Sequence, residues 1–276
     1  MKLTESSFFQ TTINSMKLSI LEHGRLQSGK EWRYRGINSP FNRLYFCRSG
    51  DGTIINGNNS CRIMPGCIYL VPLNVTYEYM CTSLELFYLH FNLDLLPGKD
   101  LFDETNECMS EIFPQKKIEE IYKTFTSRRV DSVLVCESII LHALSRFARH
   151  VRLRYRDSTS DRKIIPILEF VQDNLNAKLR VADLVKQVGY SESSLVRIFK
   201  NITNQTPKSF INNQLLTRAK KHLVLSNMTV KEIAYELGFH DQFYFSRFFK
   251  KMTGTPPSRY RDDQLSRLYK NRVTAV

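Results

Sequence analysis

Arg197 sits two residues after Leu195 and two before Phe199, so on a helix turning 100° per residue it lies about 200° from each and faces away from that apolar pair. A guanidinium placed so offers two parallel donors that match O6 and N7 of guanine, a fit an ammonium group cannot reproduce. Lys250 and Lys251 close a second segment of the same kind, where mobile ammonium groups meet phosphate more naturally than base edges. The chemistry these residues suit is non-covalent recognition of a polyanion.

The elements that must position them occur twice. VADLVKQVGYSESSLVRIFKNITNQTPKSFI, Val181 to Ile211, is echoed by VKEIAYELGFHDQFYFSRFFKKMTGTPPSRYR, Val230 to Arg261. An offset of 49 pairs Leu184 with Ile233, Gly189 with Gly238 and Tyr190 with Phe239. After one extra residue an offset of 50 pairs Leu195 with Phe245, Arg197 with Arg247, Lys200 with Lys250, Pro207 with Pro257 and Phe210 with Tyr260. Each copy predicts a short helix stopped by a glycine that reaches the left-handed region, then a second helix. Ser191 is the expected N-cap of the first of these second helices, and His240 or Asp241 that of the other. Leu195, Ile198 and Phe199, and in the second copy Phe245, Phe248 and Phe249, form the apolar stripes. Pro207 to Leu225 has the length of one connecting helix, about 28 Å at 1.5 Å per residue, close to the ~34 Å between adjacent major-groove faces.

This tandem helix-turn-helix resembles the DNA-binding domain of AraC/XylS-type transcription regulators over roughly the last 115 residues. Ile233-Ala234, Gly238-Phe239, Asp241-Gln242, Tyr244-Phe245-Ser246-Arg247, Phe249-Lys250-Lys251, Thr253-Gly254 and Pro257-Ser258-Arg259-Tyr260-Arg261 carry the likeness. The resemblance implies base reading at Ser193, Val196 and Arg197 on the first recognition helix, and at Gln242, Phe243, Ser246 and Arg247 on the second. Lys200, Lys250 and Lys251 complete the DNA-facing set. Gln242 can pair with adenine. Phe243 departs from the family, where a polar residue is usual, and either meets thymine methyls or is buried. Arg247 suits a phosphate as well as a base.

At 276 residues the chain exceeds one typical domain. From Asp161 to Val276 it carries 20 Lys and Arg against 10 Asp and Glu, a net of +10, which leaves +3 of the overall +13 for the first 160 residues. A basic excess concentrated on the repeat favours double-stranded DNA as partner, through counterion release. Tyr155 to Arg162, YRDSTSDR, has linker composition, so the expected domains are 1–155 and 161–276.

The first half reads as β. From Asn42 short aromatic and β-branched runs are broken by Ser49-Gly50-Asp51-Gly52, Asn56-Gly57-Asn58-Asn59 and Pro65-Gly66, with Asn56-Gly57 suited to a tight hairpin. The GxG turn, the Pro-Gly turn, the segment Pro72 to Tyr79 and the Leu89-His90-Phe91 strand resemble the cupin-like sensor of the same family. The expected fold is therefore α+β in two domains: an N-terminal cupin-like β-barrel with packed helices and a C-terminal all-α tandem helix-turn-helix domain. A barrel can hold one small ligand, and the resemblance places effector contacts at Tyr77, Tyr79 and Tyr88, which are otherwise ordinary core aromatics. Glu111 to Arg128 and Asp131 to about Arg154 read as helices, with Val135, Ile139, Ala143, Leu144 and Phe147 forming a stripe for the core, a dimer contact, or both.

Metal-dependent cupin chemistry needs several converging histidines, and the β-patterned stretch before Glu111 has only His23 and His90, so no catalytic residue, metal or cofactor is expected. The six cysteines, Cys47, Cys61, Cys67, Cys81, Cys108 and Cys136, lack metal-ligand spacing and are expected as reduced thiols. MKLTESSFFQ has no secretory pattern and no run approaches a membrane span, which points to a cytoplasmic protein. The reading is an effector-controlled, sequence-specific transcription regulator and not an enzyme, a homodimer that can also touch RNA polymerase. The alternatives are a regulator whose barrel binds nothing and serves only oligomerisation, and a metal-dependent cupin enzyme with a basic tail. Effector, operator, regulated genes and the sign of regulation are not encoded legibly.

Overall fold

The computed structural model describes residues 13–30, 32–127, 129–151 and 164–269. They form two compact units, one chiefly of residues 18–93 and 101–151, the other of the helices from 164 onward together with residues 94–100. The expected linker at 155–162 lies outside the described residues.

The strands are β1 Lys17–Gly29, β2 Tyr34–Asn38, β3 Asn42–Asn56, β4 Asn59–Ile63, β5 Cys67–Val71, β6 Thr76–Leu96, β7 Lys99–Asp100 and β8 Met109–Ile112, and the first unit holds all of them but β7 and the outer ends of β1 and β6. The sheet runs β1-β6-β3-β5-β8, with β2 and β7 also on β6 and β4 on β3, and it is not closed. The expected barrel is thus corrected to an open sheet with β1 and β8 at its ends. Closure depends on strand number and stagger across the whole sheet, which local alternation does not encode.

Alternation along β3 sends Leu44 and Phe46 to one face and Tyr45 and Cys47 to the other. The first face packs on helices α1, Gln115–Thr124, and α2, Val130–Ala148, through Ile118, Ile121, Ile139, Leu144 and Phe147. Glu111 and Ile112, expected at the start of a helix, instead belong to β8, which pairs with β5. The second face gathers Trp32, Ile37, Tyr45, Tyr69, Tyr77, Tyr79, Leu84 and Leu86. Two bulges keep β3 and β6 in step. Cys47 opposes Leu86 and Ser49 opposes Glu85, while Asp51 opposes Ser83 and Gly52 opposes Cys81, so Arg48 and Thr82 are the inserted residues. Between them Gly50 has φ +89°, and a Cβ there would lie 2.1 Å from the Ser83 carbonyl oxygen. The β3–β4 hairpin closes on the pair Asn56 and Asn59, so its two-residue loop is Gly57-Asn58, one place beyond the expected Asn56-Gly57. Gly57 takes the positive φ there, at 56°.

The second unit is helical: α3 Ile165–Asp173, α4 Val181–Val188, α5 Glu192–Thr203, α6 Pro207–Leu225, α7 Val230–Glu236, α8 Gln242–Thr253 and α9 Pro257–Tyr269. Repetition in sequence becomes repetition in detail. Gly189 at φ 66° and Gly238 at φ 77° end α4 and follow α7. Thr203 Oγ1 donates to Phe199 O at 2.7 Å and accepts from Gln205 N at 3.3 Å; Thr253 Oγ1 donates to Phe249 O at 2.8 Å and accepts from Thr255 N at 3.2 Å. Edge-to-face pairs Phe199–Phe210 and Phe249–Tyr260, at 5.7 and 5.4 Å, lock each recognition helix to the helix that follows it.

Candidate nucleic-acid interface

The capping residues fix where each recognition helix begins. Ser191 Oγ accepts from Ser194 N at 3.3 Å at the head of α5. At the head of α8 the cap is Asp241, whose Oδ1 accepts from Phe243 N and Tyr244 N at 2.7 Å each. Donation from Tyr244 N holds the Asp241 carboxyl below the usual carboxylate range, so a full negative charge sits at the positive end of the helix dipole.

Burial then sorts the faces. Leu195 and Phe199 in α5, and Phe245 and Phe249 in α8, are fully buried. Ser193, Arg197 and Lys200 are exposed and Val196 is half-buried; Phe243, Arg247, Lys250 and Lys251 are exposed, with Gln242 and Ser246 half-buried. Each helix-turn-helix therefore carries its expected set away from its apolar core. Phe243 is 69% exposed, which resolves the two readings against burial. Tyr244 is 55% exposed and Arg247 lies over its ring, 5.9 Å from guanidinium carbon to centroid. Tyr244 belongs to the run that carries the family resemblance, yet its part in holding an arginine is not legible in sequence, because an i, i+3 stack depends on rotamers.

In the sheet unit the bulge at Thr82 shifts the alternation of β6, so even-numbered Tyr88 joins odd-numbered Tyr77 and Tyr79 on one face. Tyr77 and Tyr79 are buried and Tyr88 is half-buried. Trp32 packs edge-on against Tyr79 at 5.2 Å, and Tyr45 and Tyr77 each lie 6.5 Å from it. Sequence reasoning missed Arg43. It is 3% exposed, donates to Ser39 Oγ and, at 3.4 Å, to Tyr79 Oη, and stacks on Phe41 at 5.4 Å. None of the described carboxylates lies within ion-pair distance of it. The signal was present, since Arg43 shares parity with Tyr45 and Cys47 in a strand otherwise apolar on that face. The Tyr77 hydroxyl is buried near the Asn56 side chain, outside good hydrogen-bond geometry, and burial raises the Tyr45, Tyr77 and Tyr79 phenols above their usual range. Beside them His90 Nδ1 lies 3.0 Å from Glu22 Oε2, and burial lowers the His90 pKa despite that carboxylate. Among the described residues no three His, Cys, Asp or Glu side chains form a metal-holding group, and no helix is long and apolar enough to cross a membrane.

Two capped recognition helices, each with a basic face free of its own core, define a tandem helix-turn-helix DNA-binding protein. A helix-turn-helix domain family matches residues 184–263. The Transposon Tn10 TetD protein of Escherichia coli is 33% identical over 119 residues, spanning 43% of this chain and 86% of TetD. An uncharacterized HTH-type transcriptional regulator of Staphylococcus aureus, SAS0078, is 23% identical over 235 residues, 79% of this chain, which spans only 31% of that relative's length. A ToxT structure from Vibrio cholerae has the same overall fold, with TM-score 0.51 at 16% identity over 90% of this chain and 98% of ToxT. Another, from strain O395, holds (E)-4-(8-methylnaphthalen-1-yl)but-3-enoic acid, with TM-score 0.50 at 16% identity over 91% of this chain and 99% of that one. The chain belongs to the AraC/XylS family of transcription regulators. Its family is one of regulators rather than enzymes.

Proposed function

We propose that this regulator reads an operator with Arg197, Ser193 and Val196 on α5 and with Gln242, Phe243, Ser246 and Arg247 on α8, while Lys200, Lys250 and Lys251 contact phosphates. It does so in the cytoplasm and without catalysis, as a homodimer whose control reaches RNA polymerase. Domains at 1–155 and 161–276 divide the work. The observation that carries DNA reading is the matched pair of capped helices with their exposed basic faces.

A small effector docks against the aromatic face of the sheet, with Tyr77, Tyr79 and Tyr88 as its walls. Arg43 supports this: a buried cation without a carboxylate favours an occupant that brings negative charge or strong acceptors. The acid held by the ToxT structure is such a compound. Effector control requires unequal affinity for two states of the protein.

Dimerisation needs a different face from the expected one. Ile139 and Phe147 are buried within the unit's own core, the first of the two destinations expected for their stripe, and so are not exposed for a dimer contact. Val130, Val133 and Leu134 on α2 are 78%, 61% and 62% exposed and follow helical spacing, so they form the apolar stripe left for a second copy.

The test is operator binding by the full-length protein, on a duplex selected from a random pool, with and without each of a panel of aromatic and aliphatic carboxylates and sugars. Tyr79→Ala should remove any effector response while DNA binding persists. A response unchanged in Tyr79→Ala would place the effector elsewhere.

A further inference from the structure

The aromatic face of the sheet also carries a thiol pair that neither DNA reading nor effector binding uses. Cys61 lies on β4 opposite Ile54 of β3, and Cys108 immediately precedes β8. Two contacts bring these distant segments together. Asn59 Nδ2 donates to Glu107 Oε1 at 2.8 Å, and Asn56 Nδ2 donates to the Asn106 carbonyl at 3.0 Å. Cys61 is two residues from one end of this clasp and Cys108 one residue from the other. Both side chains pack on the same cluster, and both are half-buried, so a small solute can reach them.

The Cys61 thiol lies close enough to Cys108 and Ser110 to interact with both, while Cys108 Sγ donates to the Met109 carbonyl at 3.8 Å. Cys108 and Ser110 bring the Cys61 thiol down to about 7, while Cys61 and burial push Cys108 up. Cys61 is therefore the more readily deprotonated of the two, an asymmetry that suits nucleophilic attack by Cys61 and resolution by Cys108. The remaining thiols differ. Burial pushes Cys47 up to about 12, and Cys81 donates to the Gly29 carbonyl at 3.0 Å.

We propose that Cys61 and Cys108 are an oxidant-sensing dithiol, converted by a hydroperoxide to a disulfide that staples the β3–β4 hairpin to the segment entering β8. In the first step the Cys61 thiolate attacks one peroxide oxygen. An S–O bond forms, the O–O bond breaks, and hydroxide (or alkoxide) leaves to take up a proton. In the second, Cys108 sulfur attacks the Cys61 sulfenic acid; the S–S bond forms, the S–O bond breaks, and the thiol proton leaves with hydroxide as water. Two sulfurs lose one electron each and the peroxide gains two. The staple closes next to Tyr77, whose phenol feels both Cys108 and Glu107, so oxidation reaches the face where an effector would dock without requiring one.

The experiment treats the reduced full-length protein with one to five equivalents of hydrogen peroxide, blocks remaining thiols with N-ethylmaleimide, and maps the peptides by mass spectrometry. The expected result is loss of two of the six thiols to a Cys61–Cys108 cross-linked peptide, reversed by dithiothreitol. Cys108→Ser should instead accumulate a dimedone-trapped sulfenic acid at Cys61, and Cys61→Ser should abolish the cross-link. Phenylarsine oxide, which bridges neighbouring thiols without oxidation, should add once to the wild type and to neither variant. Cys61, lowered to about 7, should also alkylate faster at pH 7 than Cys47, which burial pushes up to about 12. A Cys47–Cys67 cross-link forming first, over-oxidation of Cys61 with Cys108 still free, or arsenical binding retained in both variants would overturn the proposal.

Discussion

Replacing Gly50 with alanine tests whether the bulged β3–β6 pairing governs the sheet. The backbone there has φ +89°, and the added Cβ would meet Ser83 O at 2.1 Å, Ser83 C at 2.7 Å and Leu84 Cα at 2.8 Å. Every obstructing atom is backbone of the partner strand, so no rotamer change relieves the clash, and β6 must retreat by more than an ångström to reach ordinary contact. An L side chain at positive φ costs roughly 1–2 kcal/mol, and overpacking typically adds about 1–3 kcal/mol, for a total of about 2–5 kcal/mol. Gly57 provides the control, since its φ is +56° and a Cβ there meets nothing within 4 Å, leaving only the conformational part. The single tryptophan, Trp32, is buried on the sheet's aromatic face, so its fluorescence during urea unfolding reports that unit. With m about 2 kcal/mol per molar, Gly50→Ala should melt roughly 0.5–1.5 M below Gly57→Ala. Coincident midpoints for the two variants would refute the close-approach argument.

Arg197→Ala should reduce discrimination between operator and random duplex by about 5- to 150-fold, the worth of a bidentate contact of ~1–3 kcal/mol, whereas Lys250→Ala should weaken both duplexes alike and flatten the salt dependence; competition anisotropy across a salt series separates them. Leu134→Lys on the exposed stripe of α2 should yield monomers in sedimentation at micromolar concentration without loss of Trp32 burial. His90 has a folded pKa below its unfolded one, so the unfolded chain takes up the proton first. Its neutral burial is therefore no burden above about pH 6.5, and stability falls as pH drops below that value until the folded pKa is passed. His90→Gln should lessen that acid-side loss in urea titrations followed by Trp32.

The helical unit was legible because its information is local and stated twice. Glycine stops, Ser191 and Asp241 caps and the apolar stripes each act within one or two turns, and the bounds of α4, α5, α6 and α8 fall where composition puts them. What failed to show in the first half depends on relations between distant residues. Openness of the sheet follows from stagger across all eight strands. The common face of Tyr77, Tyr79 and Tyr88 follows from a bulge whose extra residue, Thr82, looks like any other strand threonine. The stripe through Ile139 and Phe147 had two admissible destinations, and only the packing of α2 on Leu89, Phe91 and their neighbours selects the core. Arg43 was overlooked because a lone arginine in a β-run reads as an outward side chain until its parity is counted.

The two recognition units are copies, yet the turn after the glycine is one residue longer in the second. Gly189 is followed by Tyr190 and then the cap Ser191, whereas Gly238 is followed by Phe239, His240 and then the cap Asp241. The exposed sets differ as well, with Ser193 and Arg197 on one helix and Phe243 and Arg247 on the other. A single chain is therefore not self-complementary under reversal. Its footprint has a head and a tail, and a DNA segment turned end for end presents a different text to each helix. Polarity is written into the helical unit itself, so the direction in which it lies on DNA follows from which strand carries the site.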